Sequence, residues 1–159
     1  MFNNFDDFKK KLTGKKRDEL AEKIKELCIF SIAFSEVAEI ESTNILEATL
    51  HAMRKAISAL PQKADAALID GNICRGFDLP AKALIGGDGL SPSIAAASIL
   101  AKTERDRWCE EYLDKTYPGY GFAVHKGYGT KAHYEAIASL GPCPEHRMSF
   151  LKKFYEKNK

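Results

Sequence analysis

Two short apolar runs that each lead to an aspartate constrain this chain more than any other feature. The first run, residues 66–69, ends at Asp70, and the second, residues 79–85, leads through two glycines to Asp88. Apolar runs of this length between turn residues are typical of buried strands. Ligand sites of α/β sheets lie where strands end. The pattern therefore predicts two carboxylates at one rim of a sheet, where they could share a divalent cation.

Each aspartate is weaker evidence when it is considered alone. Asp70 precedes Gly71, and Asp-Gly pairs are common in ordinary turns that carry no function. Asp106 offers a third carboxylate, but its spacing from Lys102 favours a simpler i,i+4 ion pair on a helix. The hypothesis of a metal site therefore depends on Asp70 and Asp88 lying together.

The rest of the chain alternates predicted helices with these strands, which is typical of a layered α/β domain. Ser42 or Thr43 is the expected N-cap of a helix that Pro61 ends, and small residues after Pro92 favour close packing of a long helix. The expected helices cover residues 16–28, 43–60, 93–115, about 130–139 and about 146–157, and a further strand is expected over residues 29–34.

Length and composition bound the class of protein. With 159 residues, of which 45% are apolar and 29% charged, the chain is expected to form one domain over residues 1–159. The net charge of +2 does not indicate a nucleic-acid binder, although lysines crowd both ends of the chain. Four scattered cysteines, no signal peptide and no apolar run of about 18 residues predict a cytoplasmic protein with reduced thiols and no membrane association.

A glycine- and aromatic-rich loop over residues 117–129 ends in the sequence HKGYG, residues 125–129. One interpretation is an ordinary surface loop whose Tyr128 packs back on the domain. The other is a substrate clamp, in which Lys126 contacts a phosphate and Tyr128 stacks on a sugar or a base. The sequence leaves both interpretations open at this point.

The later histidines give no metal-ligand pattern. His133 and His146 lie on predicted helices, and their spacing does not match a metal site. His146 and Arg147 are expected at the surface, with contact to a phosphate as the alternative.

As a set, these motifs resemble the ribonuclease HII family, the type 2 ribonucleases H. They occur in the family's order between about residue 9 and residue 150. The matching stretches are residues 12–13 with the lysines around them, 39–49, 68–72, 87–88, 95–106, 120–122, 125–130 and 146–150. The resemblance implies a ribonuclease H-like layered α/β fold, with residues 130–159 as a C-terminal helical part.

The resemblance also implies an activity and a set of site residues. The family hydrolyses the RNA strand of RNA–DNA hybrids, and DNA at single embedded ribonucleotides, with Mg²⁺ or Mn²⁺ held by four carboxylates. Asp70 and Asp88 match the third and fourth carboxylates, and are the expected catalytic and metal-binding residues. Tyr128 matches the tyrosine that stacks beside the scissile ribonucleotide and helps to sense its 2′-hydroxyl. The other implied substrate-binding residues are Lys126, Lys10, Lys11 and Asn44.

The chain departs from the family in lacking the motif Asp-Glu-Val-Gly-Arg-Gly, whose acidic residues are the family's first two metal ligands. We therefore expect an N-terminally truncated fold with little or no nuclease activity. We also expect an exposed apolar edge on strand 66–70, available for self-association or for pairing with a partner chain. Three explanations stay open: a late gene start or a split gene, a remnant that binds hybrids without cutting them, and a fragment without a stable fold.

Overall fold

The computed structural model describes residues 12–157, apart from the side chain of Lys157. The described residues fall into two compact units. The first unit comprises residues 12–34 and 50–103, and the second comprises residues 35–49 and 104–157. Helices predominate in the described chain, and a small parallel sheet lies in the first unit. The predicted mixed α/β class is confirmed.

The elements follow one another along the chain with short connections. The α-helices are α1 (Gly14–Leu27), α2 (Val37–Ser42), α3 (Ile45–Ser58), α4 (Pro92–Trp108), α5 (Asp114–Thr116), α6 (Phe122–His125), α7 (Lys131–Leu140) and α8 (Met148–Lys157). The strands are β1 (Ala67–Asp70) and β2 (Ala81–Leu84). A 3₁₀ turn, Gly87–Gly89, follows β2, and a π-helical turn, Cys109–Leu113, continues α4. The predicted helices therefore all form, with small shifts at their ends.

The two strands predicted from the apolar runs form and pair in parallel. Ala67 lies opposite Ala81, and Asp70 lies opposite Leu84. The amide of Gly71 donates to the carbonyl of Leu84 at 3.0 Å, which extends the ladder just past β1. Because the strands are parallel, both carboxyl ends reach the same edge of the sheet. Leu68 of β1 is 46% exposed, and association of a second chain along this strand stays a prediction.

The prediction of a strand over residues 29–34 is wrong. The backbone there is irregular, and it forms no ladder with β1 or β2. Instead, the Ser31 hydroxyl donates to the carbonyl of Ala56 in α3, and Ile32 packs against the core formed by α1 and α4. Its apolar residues favour a strand, but a strand also needs a neighbouring backbone that satisfies its polar groups. Side-chain contacts with helices hold this segment.

Each unit has its own apolar core. In the first unit, Ala21 and Ile24 of α1 pack against Ile99 and Leu100 of α4. In the second unit, the core joins the π-helical turn to α6, α7 and α8. The buried residues of the second core are Cys109, Leu113, Tyr120, Phe122, Ile137, Cys143 and Leu151. This second core supports the glycine-rich loop of residues 125–129.

Helix α3 begins at Ile45, two residues later than the predicted start at residue 43, because its cap is Asn44. The side-chain oxygen of Asn44 accepts hydrogen bonds from the amides of Leu46 and Glu47, both at 3.0 Å. The hydroxyls of Ser42 and Thr43, the caps predicted from sequence, instead donate to the carbonyl of Glu39 in α2. Helix α2 therefore ends before α3 begins, and Asn44, the residue just before α3, supplies its N-cap.

Glu41 of α2 caps helix α8 from a distance of 108 residues in sequence. Its carboxylate accepts hydrogen bonds from the amide and the hydroxyl of Ser149, in the first turn of α8. We expect Glu41→Ala to lower the free energy of unfolding by about 1 kcal/mol, because a helix N-terminus loses its acceptor and a favourable charge. Urea unfolding followed by circular dichroism measures the change.

A matched control for this prediction is Glu135→Ala. Glu135 forms an exposed ion pair with Lys131 on α7, at 3.6 Å, and such pairs contribute at most about 0.5 kcal/mol. Equal effects of the two substitutions would contradict the capping role of Glu41.

The cysteines and the lengths of the helices bear on the expectations about reduced thiols and membrane association. All four cysteines are free thiols, and Cys109 and Cys143 are buried. Among residues 12–157, no helix is both long enough and apolar enough to cross a bilayer. A cytoplasmic location stays a prediction.

Candidate active site

Asp70 is held at the end of β1 by the turn that carries Asp88. The amide of Gly87 donates to Oδ1 of Asp70 at 2.9 Å, and Asp88 is the next residue in the turn Gly87–Gly89. Gly86, with φ of +64°, takes the left-handed conformation that leads the chain from β2 into this turn. Both aspartates are solvent-exposed. The structure therefore brings the two predicted carboxylates to the same edge of the sheet.

The contact between Asp70 and the turn needs a residue without a side chain at position 87. A Cβ on Gly87 would lie 2.6 Å from Cδ1 of Ile94 and 3.3 Å from Oδ1 of Asp70. Ile94 is buried in the first turn of α4, so it has little space in which to move. Gly87 therefore allows the backbone to approach Asp70 closely enough to orient its carboxylate.

The chemistry of this pair fits a hard divalent cation that keeps much of its water. Carboxylate oxygens are the ligands that Mg²⁺ and Mn²⁺ prefer, and Mg²⁺ commonly binds through one or two carboxylates plus water. One oxygen of Asp70 already accepts the amide of Gly87. Within residues 12–157, no group of three or more His, Cys, Asp or Glu side chains is placed to share an ion. Asp70 and Asp88 would therefore hold such a cation weakly.

The loop that carries Tyr128 lies in the second unit and has a well-defined backbone. The amide of Tyr128 donates to the carbonyl of His125 at 2.9 Å, and the carbonyl of Tyr128 accepts from the amide of Thr130 at 2.8 Å. A Cβ on Gly129 would lie 2.9 Å from the hydroxyl of Tyr134. Tyr128 itself is 60% exposed. A rigid backbone thus presents an accessible aromatic ring, as base or sugar stacking requires.

Lys126 makes contacts that a simple phosphate clamp would not predict. Its ammonium pairs with the carboxylate of Glu110 and with the carbonyl of Ala123. Its backbone has φ of +54°, a left-handed conformation that is uncommon for a residue with a side chain. A role in substrate binding stays a prediction, and it would require the ammonium to leave Glu110.

Arg105, which the sequence patterns did not indicate as a site residue, lies close to the Tyr128 loop, and the charge of Arg147, predicted as an alternative phosphate contact, acts on it. A Cβ on Gly127 would be 3.2 Å from Nη2 of Arg105. Burial, and then the charge of Arg147, lowers the pKa of Arg105, and burial also lowers the pKa of Arg147. Both guanidiniums stay charged at neutral pH. Arg105 beside the loop that exposes Tyr128, with the charge of Arg147 acting on it, gives this part of the second unit a positive character suited to a nucleic-acid backbone.

The predicted surface position of His146 is wrong. His146 is only 7% exposed, and it lies against His133, which is 5% exposed. The two residues are 13 positions apart, so neither helical period nor metal-ligand spacing indicates the contact. Packing of the second core around Phe122 brings the rings together.

Asp106, considered as a third metal ligand, is also buried, in the second unit.

The buried histidines give the protein an expected acid sensitivity. Burial lowers the pKa of His133 and of His146 below the ordinary value near 6.5. Below pH 6.5 the unfolded chain therefore binds more protons than the folded chain. We expect stability from these groups to be complete above about pH 6.5 and to fall as pH drops towards the lowered pKa values, by up to about 1.4 kcal/mol per pH unit for each group.

Urea unfolding between pH 7.5 and pH 5 measures this dependence. Replacing His133 or His146 by Gln should flatten the acidic part of the profile. His51 lies on α3, outside the buried pair, and His51→Gln controls for the effect of a histidine-to-glutamine change on stability. An acidic slope that persists without both buried histidines would contradict the prediction.

The remaining predicted substrate contacts are only partly described. Lys10 and Lys11 lie outside the described residues. Asn44 is exposed, and its side-chain oxygen caps α3. A substrate contact by Asn44 stays a prediction.

Comparison with known proteins shows the family of the chain. The family profile described as Ribonuclease HII matches residues 4–153. The chain belongs to the ribonuclease HII family. Curated ribonucleases HII from Paracidovorax citrulli (strain AAC00-1), Acidovorax sp. (strain JS42) and Coxiella burnetii (strain Dugway 5J108-111) are 50%, 51% and 52% identical to it.

The alignment with these ribonucleases HII covers most of this chain and a smaller share of theirs. It includes 89% of this chain in each case, but 59%, 68% and 70% of the three relatives. The resemblance to ribonuclease HII that the motifs indicated is confirmed. The chain thus corresponds to part of the length of these relatives, and it contains the segments with Asp70, Asp88 and Tyr128.

Proposed function

We propose that this chain acts on RNA–DNA hybrids and on DNA with embedded ribonucleotides, as part of an endonuclease that depends on a divalent metal ion. Membership of the ribonuclease HII family supports the substrate class. The observation that carries the proposal is the hydrogen bond from Gly87 to Asp70, which fixes the Asp70 carboxylate beside the residue that precedes Asp88. Paired carboxylates at a sheet rim are suited to a phosphodiesterase centre.

In this proposal Asp70 and Asp88 hold Mg²⁺ or Mn²⁺. A bound cation of this kind supplies a Lewis acid that polarises a phosphate oxygen. The contact with Gly87 occupies and orients Oδ1 of Asp70, so the other carboxylate oxygen would be the one available to a cation. Asp88, exposed in the turn Gly87–Gly89, supplies the second carboxylate.

Tyr128 recognises the substrate in this proposal. Its exposed ring, on a hydrogen-bonded loop, stacks beside the ribonucleotide. Arg105, whose guanidinium lies near Gly127, and Arg147, in the same unit, contact phosphates of the substrate. Because these contacts are electrostatic, binding should weaken as salt concentration rises.

Binding of Mn²⁺ to the full chain tests the proposed metal site. Free Mn²⁺ gives a strong electron paramagnetic resonance signal that decreases when the ion binds. We expect Asp70→Asn and Asp88→Asn each to weaken Mn²⁺ binding about tenfold or more, because each removes one of two anionic ligands. Asp65→Asn, an exposed acidic residue before β1, is the matched control. Equal Mn²⁺ binding by all these variants would refute the site.

A second candidate function is binding of RNA–DNA hybrids without cleavage. The observation that favours it concerns Asp70 and Asp88, the acidic pair. Within residues 12–157 no third His, Cys, Asp or Glu side chain joins this pair. Fluorescence anisotropy with a labelled hybrid distinguishes the two functions when it is combined with gel analysis of the same samples. Salt-sensitive binding with intact substrate supports the binding role, and Mn²⁺-dependent products that disappear in Asp70→Asn support the nuclease.

A further inference from the structure

Three buried histidines cluster in the second unit, in and next to the loop of residues 125–129 that carries Tyr128, the Tyr128 loop. His125, His133 and His146 are 8%, 5% and 7% exposed. The rings of His125 and His133 stack with centroids 4.1 Å apart, and those of His133 and His146 are 5.2 Å apart. The proposed function gives none of these side chains a role. Two of the rings, however, hydrogen-bond to the backbone of the loop: His133 to the carbonyl of Tyr128, and His125 to the amide of Gly127.

The hydrogen-bond partners fix which nitrogen of each ring carries the proton. The amide of Cys143 donates to Nδ1 of His146 at 2.9 Å, so this nitrogen has no hydrogen. The hydrogen of neutral His146 is therefore on Nε2, which faces Nε2 of His133 at 3.0 Å. His133 must accept there, and its own hydrogen is then on Nδ1. That nitrogen donates to the carbonyl of Tyr128 at 3.0 Å.

The opposite order of protons leaves two contacts unmatched. In that order Nδ1 of His146 carries a hydrogen that faces the amide N–H of Cys143 at 2.9 Å, so two donors oppose each other. His133 would then present a bare Nδ1 to the carbonyl oxygen of Tyr128, and two acceptors would face each other at 3.0 Å. Buried acceptors without a donor are costly. The first order is therefore the stable one.

His125 holds the other side of the same loop. The amide of Gly127 donates to its Nδ1 at 3.1 Å, so the hydrogen of His125 is on Nε2, which donates to the carbonyl of Tyr120 at 2.7 Å. The carbonyl of His125 accepts from the amide of Tyr128. Both backbone polar groups of Tyr128 are thus bonded within this histidine cluster.

We propose that His146 and His133 form an ordered relay of neutral imidazoles that positions Tyr128, and that protonation of either ring loosens the Tyr128 loop. The part of this proposal that concerns ribonucleotides rests on the proposed function of Tyr128. A second proton on His146 would face the amide of Cys143, and a second proton on His133 would face the N–H of His146. His133 and His146 are positioning residues here, because they act through the backbone of Tyr128.

The surroundings of the two rings favour the neutral state. The titratable groups whose rings face them are His125, Tyr120 and Tyr134. Burial raises the pKa of Tyr120, which is therefore uncharged where a histidine titrates, and the charge of His125 helps to lower the pKa of both His133 and His146. Burial is the main cause that lowers the pKa of both His133 and His146. The relay is thus neutral at physiological pH and sensitive to acid.

Nuclear magnetic resonance of the full chain with ¹⁵N-labelled histidine tests the relay without any nucleic acid. Long-range proton–nitrogen correlations distinguish a protonated ring nitrogen from a bare one. At pH 7.5 we expect the hydrogen on Nε2 of His125, on Nδ1 of His133 and on Nε2 of His146. A hydrogen on Nε2 of His133, or on Nδ1 of His146, would overturn the proposed order.

A binding experiment tests the link to Tyr128. Fluorescence anisotropy, with Ca²⁺ in place of Mn²⁺, compares a duplex carrying one ribonucleotide with the same duplex made of DNA. His133→Asn places an amide N–H near the position of Nδ1 and keeps the bond to Tyr128, whereas His133→Gln places it near Nε2. We expect His133→Gln to reduce the preference for the ribonucleotide about fivefold, the effect of one lost hydrogen bond, and His133→Asn to change it less than about twofold.

The outcomes separate failure of the relay from failure of the proposed function. If the wild-type chain shows no preference for the ribonucleotide, the role of Tyr128 fails, and the magnetic resonance result still decides the relay. Equal losses in the Asn and Gln variants show that His133 only fills space, and they overturn the proposal. If His133→Gln does not fold, the wild-type preference is measured from pH 7.5 to pH 5.5. A preference that is constant across that range in the folded chain also overturns it.

Discussion

Incubated alone with Mn²⁺ and a duplex that carries one ribonucleotide, the chain is expected to leave the duplex almost uncut. Two-metal hydrolysis needs ligands that hold two cations about 3.5–4 Å apart. Asp70 and Asp88 give two carboxylates, and within residues 12–157 no third ligand joins them. A loss of about 4 kcal/mol of transition-state stabilisation makes a reaction about a thousandfold slower. We expect cleavage to be slower than that of a full-length family member by at least about this factor.

Denaturing gels of the end-labelled substrate measure the cleavage. A full-length ribonuclease HII is the positive control, and Asp70→Asn of this chain is the matched negative control. Products that need Mn²⁺, appear at the ribonucleotide and vanish in Asp70→Asn would contradict the expectation. They would also show that two carboxylates are sufficient for turnover.

Among single substitutions in and around Asp70 and Asp88, Gly87→Ala is expected to lower the stability of the protein most. The new methyl group would lie 2.6 Å from Cδ1 of Ile94, in the buried first turn of α4, and 3.3 Å from the side chain of Leu84. Overpacking of this kind costs about 1–3 kcal/mol. Since the methyl group also approaches Oδ1 of Asp70 to 3.3 Å, Mn²⁺ binding should weaken in the same variant.

Two companion variants make this prediction specific. Gly89→Ala adds a methyl group two residues away, in the same turn, where nothing lies within 4 Å, and it should change stability little. Ile94→Val removes the methyl group that the new Cβ would meet, so Gly87→Ala combined with Ile94→Val should recover part of the loss. Thermal unfolding compares the variants. Equal loss in Gly87→Ala and Gly89→Ala would show that the close approach at Gly87 is not important.

Asp70 and Asp88 show which features of the site local sequence patterns predict and which they do not. The apolar runs before Asp70 and Asp88 predict two strands, and both strands form. The sequence does not state that they are parallel partners, which is what brings their ends to one edge. It also gives no sign that Gly87 hydrogen-bonds the carboxylate of Asp70. Seventeen residues separate the two groups, and only the folded sheet and turn bring them together.

For the Tyr128 loop, the sequence indicates an exposed aromatic ring but not the residues that contact the loop. Its glycines and its tyrosine indicate a loop that presents an aromatic ring, and the exposed Tyr128 fits that expectation. The partners of the loop cannot be predicted from its own residues. Glu110 binds Lys126 from 16 residues away, and His133 and His146 reach each other across 13 residues. These pairings depend on how α7 and the segment before α8 pack around Phe122.

The family, the main helices and the presence of two strands were all readable from the chain's residues, because period, caps and apolar runs act over a few neighbouring residues. The tertiary structure alone decided that residues 29–34 form no strand, that Asn44 caps α3, and that His146 is buried. The physical reason is the same in each case. Hydrogen-bond partners and burial come from residues that are distant along the chain, and only folding makes them neighbours.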